Sequence, residues 1–133
     1  MIRIAVVEDE EYYVNQLTGY LNEYQKTEKE ELDITVYRDG DAVTAEYKSQ
    51  FDIILMDIQM PVMNGLEAAS AIRASGHPDA ARLPIIALSA GAFEEDVQRS
   101  LHHGMQDHLS KPMNLDDVRD VFHRFIDQQE EPQ

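Results

Sequence analysis

The strongest constraint on this chain is an alternation. Short apolar runs, rich in β-branched residues, are each followed by a longer stretch with helical spacing. Residues 2–7, 32–37, 51–56, 83–88 and 108–110 read as strands. Between them Tyr13, Leu17, Leu21 and Tyr24 recur at the spacing of one helix face. Val43 and Tyr47 mark a short helix, and Leu66, Ala69 and Ile72 the inner face of a third. Phe93, Val97 and Leu101 give a fourth that stops near Gly104. Leu115, Val118, Phe122 and Phe125 give a fifth. Asn64 with Glu67 has the pattern of a capping box, and Asn114 caps the last helix. A strand that is apolar at every position has both faces buried. Strands of that kind, alternating with helices, build a parallel sheet covered on both sides. Right-handed crossovers then favour an α/β, doubly wound five-stranded sheet of order 2-1-3-4-5. The pattern predicts one domain over residues 1–127 and a frayed polar tail over 128–133.

That order places ligands at the carboxyl ends of strands 1 and 3. Strand 1 ends in Glu8-Asp9 and strand 3 in Asp57, so three carboxylates converge. Strand 4 ends in Ser89 and strand 5 near Lys111. Packed carboxylates repel, so they take up protons or bind a cation. Hard oxygen donors select Mg2+, with Mn2+ as a substitute, over zinc. Asp57 is then a candidate carboxylate nucleophile forming an aspartyl phosphate. Lys111 supplies positive charge, and the Ser89 hydroxyl can donate to the new phosphoryl group. Each residue has a plainer reading when taken singly. Glu8, Asp9 and Glu10 suit the start of a helix dipole, Asp57 can cap a loop, and lysines are usually on the surface. The joint placement at one edge carries the argument.

Composition narrows the partners. Asp and Glu number 26 against 11 Lys and Arg, a formal charge of -15. Such a surface repels phosphate backbones and anionic lipid, so neither nucleic acid nor membrane is an expected partner. There is no cysteine, which excludes disulfides and thiolate chemistry. No apolar run approaches a membrane span or a signal peptide, and a cytoplasmic location is expected. His77, His102, His103 and His123 show no ligand spacing, and the methionines read as core and site-edge filling.

These segments resemble the receiver domain of two-component response regulators over residues 2 to about 126. Val6-Val7-Glu8-Asp9-Glu10 resembles the acidic pocket, and the nine residues from Asp57 to Gly65 the phosphoacceptor segment. Ala87-Leu88-Ser89-Ala90 and Leu109-Ser110-Lys111-Pro112 match the remaining two segments. The resemblance implies a flavodoxin-like (βα)5 fold. It also implies that Asp57 takes a phosphoryl group from a histidine kinase or histidine phosphotransfer protein. Asp9, Asp57 and the Gln59 backbone carbonyl would ligate magnesium, with Glu8 acting through water. Ser89 would move onto the phosphoryl group, and Lys111 would pair with it. The face made by the fourth helix, fifth strand and fifth helix would switch, with homodimerisation on phosphorylation as one output. Glu8 and Ser89 depart from the commoner aspartate and threonine, and His108 stands where a switch aromatic is usual. The first 60 residues look most like receivers of LytTR-type regulators, and the remainder like those of hybrid histidine kinases.

Two other functions fit the same sheet. A haloacid-dehalogenase-like phosphatase also uses Asp, Ser or Thr, Lys and magnesium, but it resembles its kin in a second Asp where this chain has Gln59. Turnover of outside substrates is therefore not expected, and the chain reads as a switch rather than an enzyme. A flavin carrier needs phosphate donors after strand 1, where this chain has Glu8-Asp9-Glu10-Glu11.

Overall fold

The computed structural model describes residues 1–58, 63–89, 98, 101–111 and 113–127. The elements run β1 (Ile2–Val7), α1 (Glu11–Glu28), β2 (Leu32–Tyr37), α2 (Gly40–Glu46), β3 (Ile53–Asp57), α3 (Gly65–Arg73), β4 (Ile85–Ser89), β5 (Asp107–Ser110) and α4 (Leu115–Phe122). A π-helical turn, His123–Asp127, extends α4. The helix expected over 93–101 lies mostly outside the described residues, as does the expected tail over 128–133. The last helix expected from the sequence is α4.

The sheet has the order β2-β1-β3-β4-β5, and all four pairings are parallel. Successive side chains of a strand point to opposite faces. Ala5, Val7, Ile54, Met56, Ile85 and Ala87 therefore meet Leu66, Ala69 and Ile72 of α3 in one core. Ile4, Val6, Ile53, Leu55, Ile86 and Leu88 meet Leu17 and Leu21 of α1 and Val118 and Phe122 of α4 in the other. Two covered faces are why the central strands β3 and β4 are buried at every position, whereas β2, at the sheet edge, alternates. Each fully buried Leu, Ile or Phe contributes about 1.5–3 kcal/mol.

Both capping boxes form. Asn64 Oδ1 accepts from the Glu67 amide at 2.9 Å, and Glu67 Oε1 accepts from the Asn64 amide at 3.2 Å. Asn114 and Asp117 repeat the exchange at the head of α4.

Three expectations need correction. Strand β3 starts two residues later than 51 and runs through Asp57, because Asp57 pairs in register with Leu88. Strand β4 likewise starts at Ile85 and includes Ser89, which pairs with Ser110. On α1 the core positions are Val14, Leu17, Leu21 and Tyr24, and Tyr13 is only half-buried. Val14 fits the same helical spacing as Tyr13, and packing on the sheet selects Val14.

Candidate functional site

Parallel strands bring every chain terminus of the same kind to one edge. At the carboxyl edge Val7 stands opposite Met56, and Asp57 stands opposite Leu88. Glu8 and Asp57 therefore emerge side by side, with Ser89 one strand further on. All three are buried: Glu8 is fully enclosed, Asp57 is 3% exposed and Ser89 2%. Asp9 is exposed at the rim. Carboxylate oxygens of Glu8, Asp9 and Asp57 lie within 4.8 Å of one another. Gln59, whose carbonyl was expected as a further ligand, lies outside the described residues.

Lys111 follows β5 and turns back over the edge. Its amide donates to the Ser89 carbonyl at 2.7 Å, which fixes where the side chain starts. Its Nζ lies 2.5 Å from Glu8 Oε1 and 3.4 Å from Asp57 Oδ2. The lysine side chain is 5% exposed. The face of the Tyr13 ring covers it, with Nζ 4.2 Å from the ring centroid. Glu8 Oε2 also accepts from the Glu10 amide at 3.1 Å. Ser89 Oγ and His108 Nε2 share a hydrogen bond at 2.5 Å.

The electrostatics follow from burial. Desolvation pushes the Glu8 carboxyl up to about 7, although Lys111 and the Glu10 amide pull it down and Asp57 pushes with burial. Desolvation pulls the Lys111 ammonium down, but the Glu8 hydrogen bond and the Asp57 and Glu8 charges outweigh it. The net shift of Lys111 is upward, so the lysine stays charged. One ammonium faces three carboxylates, which leaves the edge negative and ready for a cation.

The donor set fits magnesium. It is all oxygen, it clusters tightly, and a buried carboxylate with a raised pKa signals charge that a cation would relieve. Glu8, Asp9 and Asp57 are the residues that would hold it.

Gly65, legible as a helix start and as the end of the phosphoacceptor-like segment, has a further duty in the structure. A Cβ there would sit 2.3 Å from the Asp57 carbonyl oxygen. Glycine lets the head of α3 close on the end of β3, which seats Asp57. Tyr13, read as core, instead faces the site. Its signal in the sequence was only its place five residues after Glu8.

The histidines other than His108 stay apart from this edge. His103 Nδ1 and Ser70 Oγ form a hydrogen bond at 3.0 Å, His77 packs edge-on to Tyr47, and His123 faces Glu28. Met56, Met105 and Met113 are core residues, as expected.

Comparison with known proteins shows the family of the chain. The family model for the response regulator receiver domain matches residues 4–123. Hybrid signal transduction histidine kinase I of Dictyostelium discoideum is 39% identical over 92 residues, covering 65% of this chain. The chain spans 5% of that protein, and 2% and 18% of two further curated relatives. Among solved structures, the receiver domain of a sensor histidine kinase from Pseudomonas aeruginosa has a magnesium ion coordinated in its active site cleft. It is 31% identical, with a TM-score of 0.81, over 95% of this chain and 98% of that one. A Saccharomyces cerevisiae receiver domain, solved with a histidine phosphotransfer protein, is 25% identical. Its TM-score is 0.82, over 98% of this chain and 92% of that one. The hybrid-kinase likeness of the sequence recurs among these relatives. The LytTR-type likeness of its first half gains no support from them, nor does the phosphatase reading.

Proposed function

The chain belongs to the response-regulator receiver family, and we propose that Asp57 is its phosphoacceptor. The observation that carries this is the buried ammonium of Lys111 placed between Glu8 and Asp57 beside a three-carboxylate cluster. The chain is thus a signalling component of a two-component phosphorelay. The donor is a histidine kinase or a histidine phosphotransfer protein, supported by the receiver complex of that kind. An Asp57 carboxylate oxygen attacks the donor's phosphorus, the P–N bond breaks, and the imidazole nitrogen leaves with the bonding pair. Glu8, Asp9 and Asp57 would hold magnesium, which would neutralise charge on the phosphoryl oxygens, and manganese could substitute. Lys111 is within reach to pair with the transferred group. Ser89 can donate its hydroxyl hydrogen to a phosphoryl oxygen.

His108 occupies the switch position. Its hydrogen bond to Ser89 ties any movement of that hydroxyl to β5. The phosphoryl group adds about -1.5 to -2 charges by analogy with other phosphorylated residues. The edge then shifts between two states according to its differential affinity for that charge. Homodimerisation through the β5 side is the proposed response, and a rise in mass by light scattering on phosphorylation checks it. An unchanged monomer mass removes it. No turnover of outside substrates is expected, since Gln59 stands where a phosphatase would place its second aspartate. The charge of -15 supports protein rather than nucleic-acid or membrane partners. No described helix is long and apolar enough to cross a membrane.

The test is intact-protein mass after incubation with acetyl phosphate and magnesium. One phosphoryl adduct is expected, absent in Asp57→Asn and without metal. An adduct that persists in Asp57→Asn overturns the assignment.

A further inference from the structure

Among the described residues, the ring of Tyr13 is an uncharged wall of the Lys111 site. On α1 the residue is turned away from the core formed by Val14, Leu17, Leu21 and Tyr24. Lys111 Nζ sits 4.2 Å from the ring centroid, inside the range of a face-on cation contact. Among the described residues it also lies 2.5 Å from Glu8 Oε1 and 3.4 Å from Asp57 Oδ2. With the side chain 5% exposed, water solvates this ammonium very little.

The geometry points to Tyr13 as a positioning residue for Lys111 in phosphoryl transfer. This rests on the phosphoacceptor reading of Asp57. To serve a phosphoryl group on Asp57, the ammonium has to give up part of its bond to Glu8. A lysine held only by Glu8 would be locked by the hydrogen bond that it must loosen. The ring attracts the cation through its π face and offers no acceptor in that direction that competes with the phosphoryl oxygens. It keeps the ammonium over the carboxylate cluster while the hydrogen bond passes from Glu8 to the new group. The effect needs an aromatic face, which Phe supplies and Leu, of similar bulk, does not.

The test measures the rate of adduct formation from acetyl phosphate against magnesium concentration in wild type, Tyr13→Phe and Tyr13→Leu. Tyr13→Leu is expected to lower the maximal rate about 3- to 30-fold, the range between an exposed and a desolvated cation–ring contact. Tyr13→Phe is expected to recover that loss, and the magnesium midpoint, set by the carboxylates, to stay in place. Equal loss in both variants, no loss in either, or a shift confined to the magnesium midpoint overturns the proposal. A second readout is independent of phosphorylation: the rate at which acetic anhydride labels Lys111, followed by peptide mass. Faster labelling in Tyr13→Leu alone supports the contact, and equal labelling in all three proteins overturns it. If wild type takes up no phosphoryl group, the reading of Asp57 fails, and the labelling result still decides the placement of Lys111 by Tyr13.

Discussion

Strands β1 and β3 carry charged groups at both ends, and the two ends behave oppositely. At the amino end Arg3 meets Asp52. The Arg3 amide and Nε donate to Asp52 Oδ2 at 2.8 and 3.3 Å, and Nη2 donates to Oδ1 at 3.0 Å. One cation faces one carboxylate, and both side chains are about a third or more open to solvent. At the carboxyl end one buried ammonium lies against Glu8 and Asp57, which cluster with Asp9. The same residue chemistry gives a quiet clasp in one place and a charged, unbalanced edge in the other. Burial and stoichiometry make the difference. Burial opposes ionisation of both Asp52 and Glu8, but the donors of Arg3 overcome it and hold Asp52 below its usual value. At Glu8 burial wins. The amino end joins two strands, whereas the carboxyl end stores a tension that a cation or a phosphoryl group can use.

Several measurements can break or sharpen this contrast. The largest effect is expected from Lys111→Met, which leaves buried carboxylates facing one another. Loss of a charge-stabilising donor of this kind lowers rates by about 10²- to 10³-fold. Phosphorylation of Asp57, read by mass, is expected to slow on that scale, and a rate within a few-fold of wild type would break the comparison. Next comes Gly65→Ala. The added Cβ presses on the Asp57 carbonyl oxygen, and overpacking of this kind costs about 1–3 kcal/mol. Urea unfolding is expected to show that loss together with slower adduct formation. Arg3→Ala, at the other end, is expected to cost about 1 kcal/mol or less, as partly exposed pairs do. Phosphorylation should stay at the wild-type rate, and a large loss of activity would mean that the two ends are coupled. The smallest effect is in pH dependence. The folded Asp52 carboxyl lies below its unfolded value of 3.8, so its stabilisation is present above that pH. It fades as pH falls through the folded value. Arg3→Ala is expected to remove that part of the acid dependence of unfolding. An acid limb identical to wild type would show that the clasp contributes nothing.

Much of this molecule is legible in its sequence. Unbroken apolar strands such as 85–88 require two covered faces, and alternation with helices then fixes a parallel sheet. Parallel strands align their carboxyl ends, so Glu8, Asp9, Asp57, Ser89 and Lys111 are brought to one edge by order alone. The capping boxes at Asn64 and Asn114 are equally local, because their partners lie three residues away.

What the sequence leaves open are choices between equivalent local solutions. Tyr13 and Val14 both fit the apolar period of α1, and a rotation of about 100° per residue separates them. The sheet surface chooses Val14 for the core and so turns Tyr13 toward Lys111. The closest partner of Lys111 is likewise set in three dimensions. Glu8 is one atom longer than an aspartate and reaches the ammonium at 2.5 Å, while Asp57 stays at 3.4 Å. The link from Ser89 to His108 spans two paired strands that no local spacing connects. The sequence by itself determined which groups meet at the edge, because strand order and apolar pattern are backbone properties. Only the tertiary structure decided which of them touch, because side-chain contacts depend on the rotation and depth at which helices settle on the sheet.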